Sequence, residues 1–588
     1  PLLLLAFGLA LDAVFRPSAA VRDFCWLFPL VGLVAGIFGS SDPVAWPVVL
    51  FGGLAVGWTF RFLYDFESPP DPSPLDLPLK VLVAAWGLGT ILSLARARTV
   101  WAFVHGLRGR VVNSEGLSDA AAIRESLLAF AILAAGAAFF FLLRRSGPAV
   151  RENATRAVLI ATAVSGGLAV LQVIGLLPEE TRPFWKLTGR LSGGATDPNA
   201  LGLLCGLAIP VLLGRIVSAG RPGWALAALV PLPIGLALSG SRSGFLIAVL
   251  GSAGVIALAS MPGRVRAGFA VGALALSLAL AVLPRSSPGD VGGRLGQLFR
   301  SSLSLDDRTS SRPILWRAAV REFELSPVEG GGVGSFAWRL PDLAGVDRGR
   351  LALRDNPGSA YLQALAETGI VGLALTLAFL FALARQALIQ TRAPDFAGSG
   401  AAVLAFVLAL AVGSHWMAPE VSLLFFLLAA FLAPPRERRA GLLPRLGVGL
   451  LAVSAVFAGI AITATADPAE TFRYHPRIGF HGRETGPAGP FRWTRRRFAL
   501  WAKPGAPEEL TLVNSSPVGK PVGLTVRSNG RIRFHRMVPP GRAIRLALWS
   551  GRRPHAFLFE LDRAYVPKRF GLADFRELGM VAILPDDR

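Results

Sequence analysis

Charge is what this 588-residue sequence lacks. Only 17% of its residues are charged and 53% are hydrophobic, whereas roughly a quarter of an ordinary soluble chain is charged. Polar helix faces are missing too. Segments such as Gly369 to Ala384 and Leu446 to Ala466 show no polar stripe at the helical period, which excludes a large soluble helical core. Cysteine is nearly absent. Cys25 and Cys205 both lie inside apolar runs and read as small buried hydrophobes, so they define neither a disulfide framework nor a metal site. Acidic residues are outnumbered, leaving a net charge of +22. A balance this basic often marks a nucleic-acid binder. Here many arginines sit in short loops between apolar runs, so no nucleic acid is expected. Membrane lipids and phosphates are the expected partners.

What is present is a series of membrane-length apolar runs. Candidate spans cover 1–15 (incomplete), 24–40, 44–62, 78–95, 120–143, 155–177, 198–217, 223–239, 243–261, 265–284, 360–384, 397–414, 419–433 and 446–466. The chain begins at Pro1 without Met and runs into Leu2-Leu3-Leu4-Leu5, as a truncated first span would; no cleavable signal peptide follows from it. Arginine in short loops sets topology. Arg144, Arg145 and Arg151, Arg215 with Arg221, Arg264 with Arg266, Arg385 with Arg392, and Arg436 to Arg439 mark cytoplasmic loops. The other side then receives 178–197, 240–242, the long loop 285–359, 415–418 and everything after 466. Residues 63–77 read as a Pro-rich acidic connector. Residues 96–112, with Trp101, His105 and Arg108, read as an interfacial helix.

After Asp467 the pattern changes to alternation, as in Leu510-Thr511-Leu512-Val513 and Phe557-Leu558-Phe559-Glu560-Leu561, with Pro, Gly and Asn turns between. That predicts an antiparallel β-sandwich of about a hundred residues. The fold class expected is an all-α polytopic membrane protein of about 12–14 transmembrane helices with a C-terminal all-β sandwich domain. The transmembrane domain is assigned to 1–466 and the external sandwich to 467–588.

The stretch from Pro284 to Glu367 is the longest polar interruption among the spans and carries Arg294, Arg300, Arg308, Arg312, Trp316, Arg317 and Arg321. Two other arginine-bearing pieces fall on the same side of the membrane. One is Arg190-Leu191-Ser192-Gly193-Gly194-Ala195-Thr196-Asp197-Pro198-Asn199; the other is Ser239-Gly240-Ser241-Arg242-Ser243-Gly244. Arginine at an apolar helix end is costly near lipid and calls for a partner. A guanidinium suits pyrophosphate, because it donates two parallel hydrogen bonds and keeps its charge. The alternative for Arg242 is a topological anchor.

These pieces resemble the O-antigen ligase and polymerase superfamily. The residues that carry the resemblance are Asp197-Pro198-Asn199, Ser241-Arg242-Ser243-Gly244, Arg312 with Trp316, and Ser326-Pro327 followed by Gly332, Gly334 and Phe336. The last of them is Tyr361-Leu362-Gln363 followed by Ala366-Glu367, Gly369 and Gly372. The resemblance covers roughly 150–435. It implies a polyprenyl-pyrophosphate-linked glycan donor, undecaprenyl pyrophosphate, and a glycan, lipid or protein acceptor hydroxyl. Transfer would occur at the periplasmic face of a bacterial inner membrane, with no cofactor and no metal. The residues agree: no Asp-x-Asp pair lies in the external loops and no His/Cys/Asp cluster has metal spacing. Charge to offset a departing pyrophosphate then comes from arginine.

On this reading Arg242, Arg312, Asp355, Tyr361 and His415 are the catalytic candidates. Arg190, Asn199, Trp316, Asn356 and Glu367 are the substrate-binding ones. The family often has His-Asn before the Tyr-Leu pair, the His being a proposed base; here those places hold Gly358 and Ser359. Asp355, His415 or the departing phosphate are the three substitutes. A carboxylate beside Arg is a weak base, and a lone His at a helix end is often structural. Tyr361 and Glu367 either shape the acceptor site or cap and pack a helix. The glycines from Gly330 to Gly334 either cradle phosphate through backbone N–H groups or serve a positive-φ turn. Arg495-Arg496-Arg497 reads as a solvated strand edge or membrane-surface contact, and Trp493, Trp501 and Trp549 as core residues or sugar-stacking platforms. Two other classes stay open: a transporter or flippase of lipid-linked or anionic sugars, although no internal repeat is visible, and a non-catalytic polysaccharide-binding membrane protein.

Overall fold

The computed structural model describes residues 2–37, 46–64, 73–105, 119–177, 189–218, 223–258, 309, 312–344, 356–433, 477–487, 489–502, 507–517, 519–528, 531–549, 555–567 and 578–584. The expected spans at 265–284 and 446–466 lie outside the described residues, as do Asp355 and Arg294, Arg300 and Arg308.

The helices are α1 (Leu2–Phe15), α2 (Pro17–Leu27), α3 (Val31–Ile37), α4 (Trp46–Tyr64), α5 (Asp76–His105), α6 (Asp119–Arg145), α7 (Pro148–Val173) and α8 (Pro198–Ser218). They continue as α9 (Gly223–Leu229), α10 (Pro231–Ser239), α11 (Arg242–Leu258), α12 (Arg312–Leu325), α13 (Ser335–Ala344), α14 (Ala360–Gln390), α15 (Pro394–Ala409) and α16 (Pro419–Leu432). Among the described residues seven helical segments are long and apolar enough to cross a membrane, and four shorter apolar helices accompany them. Large apolar side chains such as Phe381, Ile370 and Leu408 point outward, as a bundle solvated by lipid requires. Two expectations change in detail. α5 continues unbroken to His105, so the first part of the expected interfacial helix extends a span. The run 223–239 is two helices, because Pro231 starts a new one, whereas Pro210 stays inside α8.

Helices in lipid associate through close packing of small residues, and α8 shows how. A Cβ on Gly244 of α11 would lie 2.2 Å from the carbonyl oxygen of Gly202 on α8. Only hydrogen at that position lets the two backbones approach so closely. One end of the bundle is tied by ion pairs. Arg144 at the end of α6 meets Asp76 at the start of α5, and Arg215 at the end of α8 meets Glu152 near the start of α7. These are the loops whose arginines set the predicted topology.

At the opposite end, the stretch expected to be a long polar loop contains α12 and α13, docked on α14. One face of α12, Ile314, Leu315, Ala318 and Ala319, is buried with Phe336, Leu340 and Leu343 of α13 and Ala366 of α14. The docking depends on a break in α14 at Gly369, whose backbone is left-handed (φ 63°). The break takes the N–H group of Ile370 away from its helical acceptor. The N–H groups of Gly331 and Gly332 then donate to the carbonyls of Ala366 and Glu367, both at 2.8 Å, and Ile370 donates to Pro327 at 2.9 Å. The Gly-rich turn itself needs positive φ at Gly330, Gly332 and Gly334. It is wedged so tightly that a Cβ on Gly332 would sit 2.7 Å from the Ser93 backbone of α5. With Val333 donating to Gly89, these N–H groups are spent inside the protein. The turn is a joint, not a phosphate cradle.

The C-terminal region is all-β, as expected: β1 (Arg477–Gly486), β2 (Gly489–Ala502), β3 (Glu508–Val513), β4 (Val522–Ser528), β5 (Arg531–Val538), β6 (Ala543–Leu548), β7 (His555–Leu561) and β8 (Val581–Ile583). Rather than two separate layers, the eight strands form one antiparallel sheet in the order β5-β4-β7-β2-β8-β3-β6, with β1 added on β2. It curves nearly into a barrel. Long β2 supports the curvature, pairing β7 through residues 497–502 and β8 through Arg492 and Trp493. The alternating residues Phe498, Leu500, Leu510, Leu512, Leu524, Val526, Phe557 and Phe559 fill the interior.

Gly332→Ala adds both left-handed strain and a clash. It is expected to lower stability by about 2 kcal/mol or more, read as a reduced unfolding temperature in detergent. Gly52→Ala, where nothing lies within 4 Å, is the control. Equal melting temperatures for wild type and both variants would sink the account of the joint.

Candidate functional site

The loop before α8 is built around Arg190. Its side chain is 5% exposed; Nε donates to the Ser239 carbonyl at 2.7 Å and Nη2 to Asn199 Oδ1 at 2.6 Å. Arg190 thereby links the first turn of α8 to the end of α10, where left-handed Gly240 turns the chain into Arg242 at the start of α11. Burial lowers the Arg190 pKa to about 10; Asp197 offsets part of this, and the like charge of Arg242 adds to it. Arg190 stays cationic at neutral pH. Two arginines and Asn199 from separate stretches therefore share one half-buried place.

Sequence reasoning missed the support of that loop. Glu420, fully buried in the first turn of α16, accepts from both the backbone N–H and the hydroxyl of Thr196. The available signal was a lone acid opening an otherwise apolar helix, directly after His415-Trp416.

A second group forms around Arg312 and His415. The Arg312 stem passes over Gly358, where a Cβ would lie 3.5 Å from Cγ. The Arg312 charge also acts on His415, whose pKa falls to about 3 through burial first and Arg312 second. The imidazole is therefore neutral at physiological pH. Among the described residues its Nε2 is buried without a hydrogen-bond partner, as are Ser414 Oγ, Trp416 Nε1 and Trp316 Nε1. The ring folds back over its own chain. A Cβ on Gly413 would be 1.8 Å from Cε1, a requirement not visible in the sequence. Trp416 is further held by an edge-on contact with Trp86, centroids 5.7 Å apart.

The remaining candidates divide. Asn356 accepts from the Gly358 N–H at 2.9 Å, and Ser359 caps α14 by accepting from Leu362. Tyr361, in the first turn, donates its hydroxyl to the Val407 carbonyl of α15 at 2.7 Å. Glu367 lies within the joint, 1% exposed, accepting from the N–H groups of Gly334 and Phe336 and from Gln363. Beside it Glu322 accepts from Ser335 at 2.8 Å and from Arg339 at 2.9 Å. Tyr361 and Glu367 thus engage in packing, and Glu322 with Arg339 is a buried ion pair that sequence reasoning passed over. The structure brings Arg190, Asn199 and Arg242 together, and Arg312 with His415. Asp355 lies outside the described residues.

The fold defines a multi-pass helical membrane protein with arginines gathered at one end. Residues 226–377 match the family model described as O-antigen ligase, so this part of the chain is similar to O-antigen ligases. The match takes in Arg242, Arg312, Trp316, Asn356, Tyr361 and Glu367, and it supports the resemblance to the O-antigen ligase and polymerase superfamily. Arg190, Asn199 and His415 lie outside it. No curated protein matches the chain.

The depressed pKa of His415 has a sign. Between its folded value of about 3 and its ordinary 6.5, the unfolded chain binds a proton that the folded one does not. Its contribution to stability is complete above pH 6.5 and is lost as pH falls. The melting temperature of wild type is expected to drop more between pH 7 and pH 5 than that of His415→Gln. Parallel pH profiles would refute the burial of a neutral ring.

Proposed function

We propose that this protein is a membrane glycan ligase or polymerase. It transfers a glycan from undecaprenyl pyrophosphate to an acceptor hydroxyl at the periplasmic face of a bacterial inner membrane, without a metal. The helical domain is 1–466 and the β domain, 467–588, stands on the periplasmic side. The observation that carries this reading is the seating of Arg190 on the Ser239 carbonyl, beside the turn that leads into Arg242, with Asp197 offsetting part of their mutual repulsion. Two like charges in a half-buried place repel each other, and an anion set between them relieves the repulsion and replaces the water both have lost. A pyrophosphate has the matching charge and geometry.

In the reaction the acceptor oxygen attacks the anomeric carbon while the carbon–oxygen bond to pyrophosphate breaks. The electron pair leaves with the phosphate, and the arginines stabilise it. Arg190 and Arg242 hold the pyrophosphate from one side, and Arg312 approaches with α12 and Trp316. The acceptor proton needs a base. His415 is neutral, with a buried Nε2 that has no partner among the described residues; burial first and Arg312 second make it a weak base. A bound pyrophosphate offsets the Arg312 charge, the smaller of the two causes, so donor binding raises the proton affinity of His415 in part, and burial still opposes protonation. Asp355 and the departing phosphate are the other acceptors. Asn356 and Tyr361 hold the entry to α14, shaping the acceptor side, and Asn199 fixes Arg190.

With purified protein and a lipid-linked oligosaccharide, Arg242→Ala and Arg312→Ala, normally inserted, are expected to lose transfer by about 100-fold or more. Full transfer by both variants would sink the assignment. Donor binding without transfer by wild type would favour a non-catalytic binding protein, for which Gly358 in the place of the family's His speaks. Donor uptake into vesicles would favour a transporter. The glycan profile of a deletion strain separates the remaining choices. One repeat unit still attached indicates a polymerase, and loss of every attached unit a ligase.

A further inference from the structure

The β domain carries a surface that the transfer reading does not use. Residues 511–559 contain no aspartate or glutamate, yet they include Arg527, Arg531, Arg533, Arg536, Arg542 and Arg545. Among the described residues none of the six is in an ion pair, whereas Arg497 meets Glu560 and Arg563 meets Asp562. β5 and β6 are the two ends of the sheet. β5 is exposed along nearly its whole length, and among the described residues no strand pairs with its outer edge. A turn at residues 539–542 joins the two strands. Asn514 pins it, donating to the Val538 carbonyl at 2.9 Å and accepting at its own carbonyl from Gly541 at 2.8 Å. The rim is therefore a built feature and not a loose loop. Among the arginines stand three large apolar side chains, Ile532 at 55%, Met537 at 48% and Trp549 at 69% exposure. Trp549 is not the core residue that its place in a β domain predicts.

We propose that this rim, β5 with the 539–542 turn, β6 and Trp549, docks on the anionic surface of a phospholipid bilayer. Guanidinium groups pair with lipid phosphates, and the acids nearest the rim flank it: Glu509 on β3 beside β6, and Asp562, which is paired with Arg563. Isoleucine, methionine and tryptophan side chains among arginines suit the boundary between headgroups and acyl chains. The helices hold the same chain at a bilayer, so the encounter is intramolecular and weak contacts suffice. An anionic polysaccharide would satisfy the arginines, but a hydrated polymer gains nothing from exposed Ile532 and Met537. The bilayer explains both.

Hydrogen exchange followed by mass spectrometry on the full chain tests this. The protein is reconstituted in nanodiscs of phosphatidylcholine alone or with about a third phosphatidylglycerol. Peptides covering 531–549 are expected to exchange about tenfold more slowly in the anionic discs. High salt is expected to abolish the difference, and so is the triple variant R533E/R536E/R545E. β4 peptides (Val522–Ser528) report in every sample that the sheet is folded. If the variant unfolds, the lipid and salt comparisons on wild type decide. Equal exchange in both discs overturns the proposal. So does protection that appears in neutral discs only when a soluble anionic polysaccharide is added. Glycan transfer is not part of the readout, so the result stands apart from the proposed reaction.

Discussion

The structure depends on an exchange of backbone hydrogen bonds between a broken membrane helix and a turn of glycines. An unbroken α14 would use its own carbonyls at Ala366 and Glu367. The left-handed residue Gly369 interrupts that ladder, and the Gly331 and Gly332 N–H groups take the two carbonyls over. In the low dielectric of a helix bundle an unmade backbone bond is expensive, so neither partner is stable alone. This obligation fixes α12 and α13 to the end of the bundle. It thereby fixes Arg312 relative to the segment around His415.

Burial of charge works in the same direction. Glu322 and Arg339 are 0% and 2% exposed at their side chains, and Glu367 adds a buried carboxyl group close by. Removing one partner of such a pair costs far more than the pair contributes. The network therefore acts as a register key, permitting one seating of α12 on α14. On the other side of the site Glu420 does a comparable job for the loop carrying Arg190. The arginines proposed to meet pyrophosphate are each placed by something rigid, which transfer to a developing charge requires.

Much of this was legible in the chain. The spans, the change to alternation after Asp467, the arginine-bearing pieces and their order follow from hydropathy, period and charge, which are local properties. Arg190, Arg242 and Arg312 stood out because arginine at an apolar helix end has few bland explanations. The glycines from Gly330 to Gly334 did not resolve into cradle or joint, because both uses need the same residue type. Tyr361 and Glu367 were likewise ambiguous, since a hydroxyl or carboxylate in a sequence does not reveal whether a carbonyl or an N–H will lie 3 Å away.

The sequence by itself determined that this is a multi-pass helical membrane chain with a β domain after it, and that its arginines are set at helix ends. Length, period and sign of charge suffice for that, because the bilayer forces each apolar run to close its own hydrogen bonds. Only the tertiary structure decided what the long polar stretch is. It is a docked pair of helices sharing its glycine turn with a broken span, with Arg312 turned toward His415. It also decided that the strands form one curved sheet whose two ends, β5 and β6, both come from the stretch 511–559 and carry its arginines. Those outcomes rest on which distant backbone groups and charges meet. Contacts between residues from about 35 to about 100 positions apart leave no period to read.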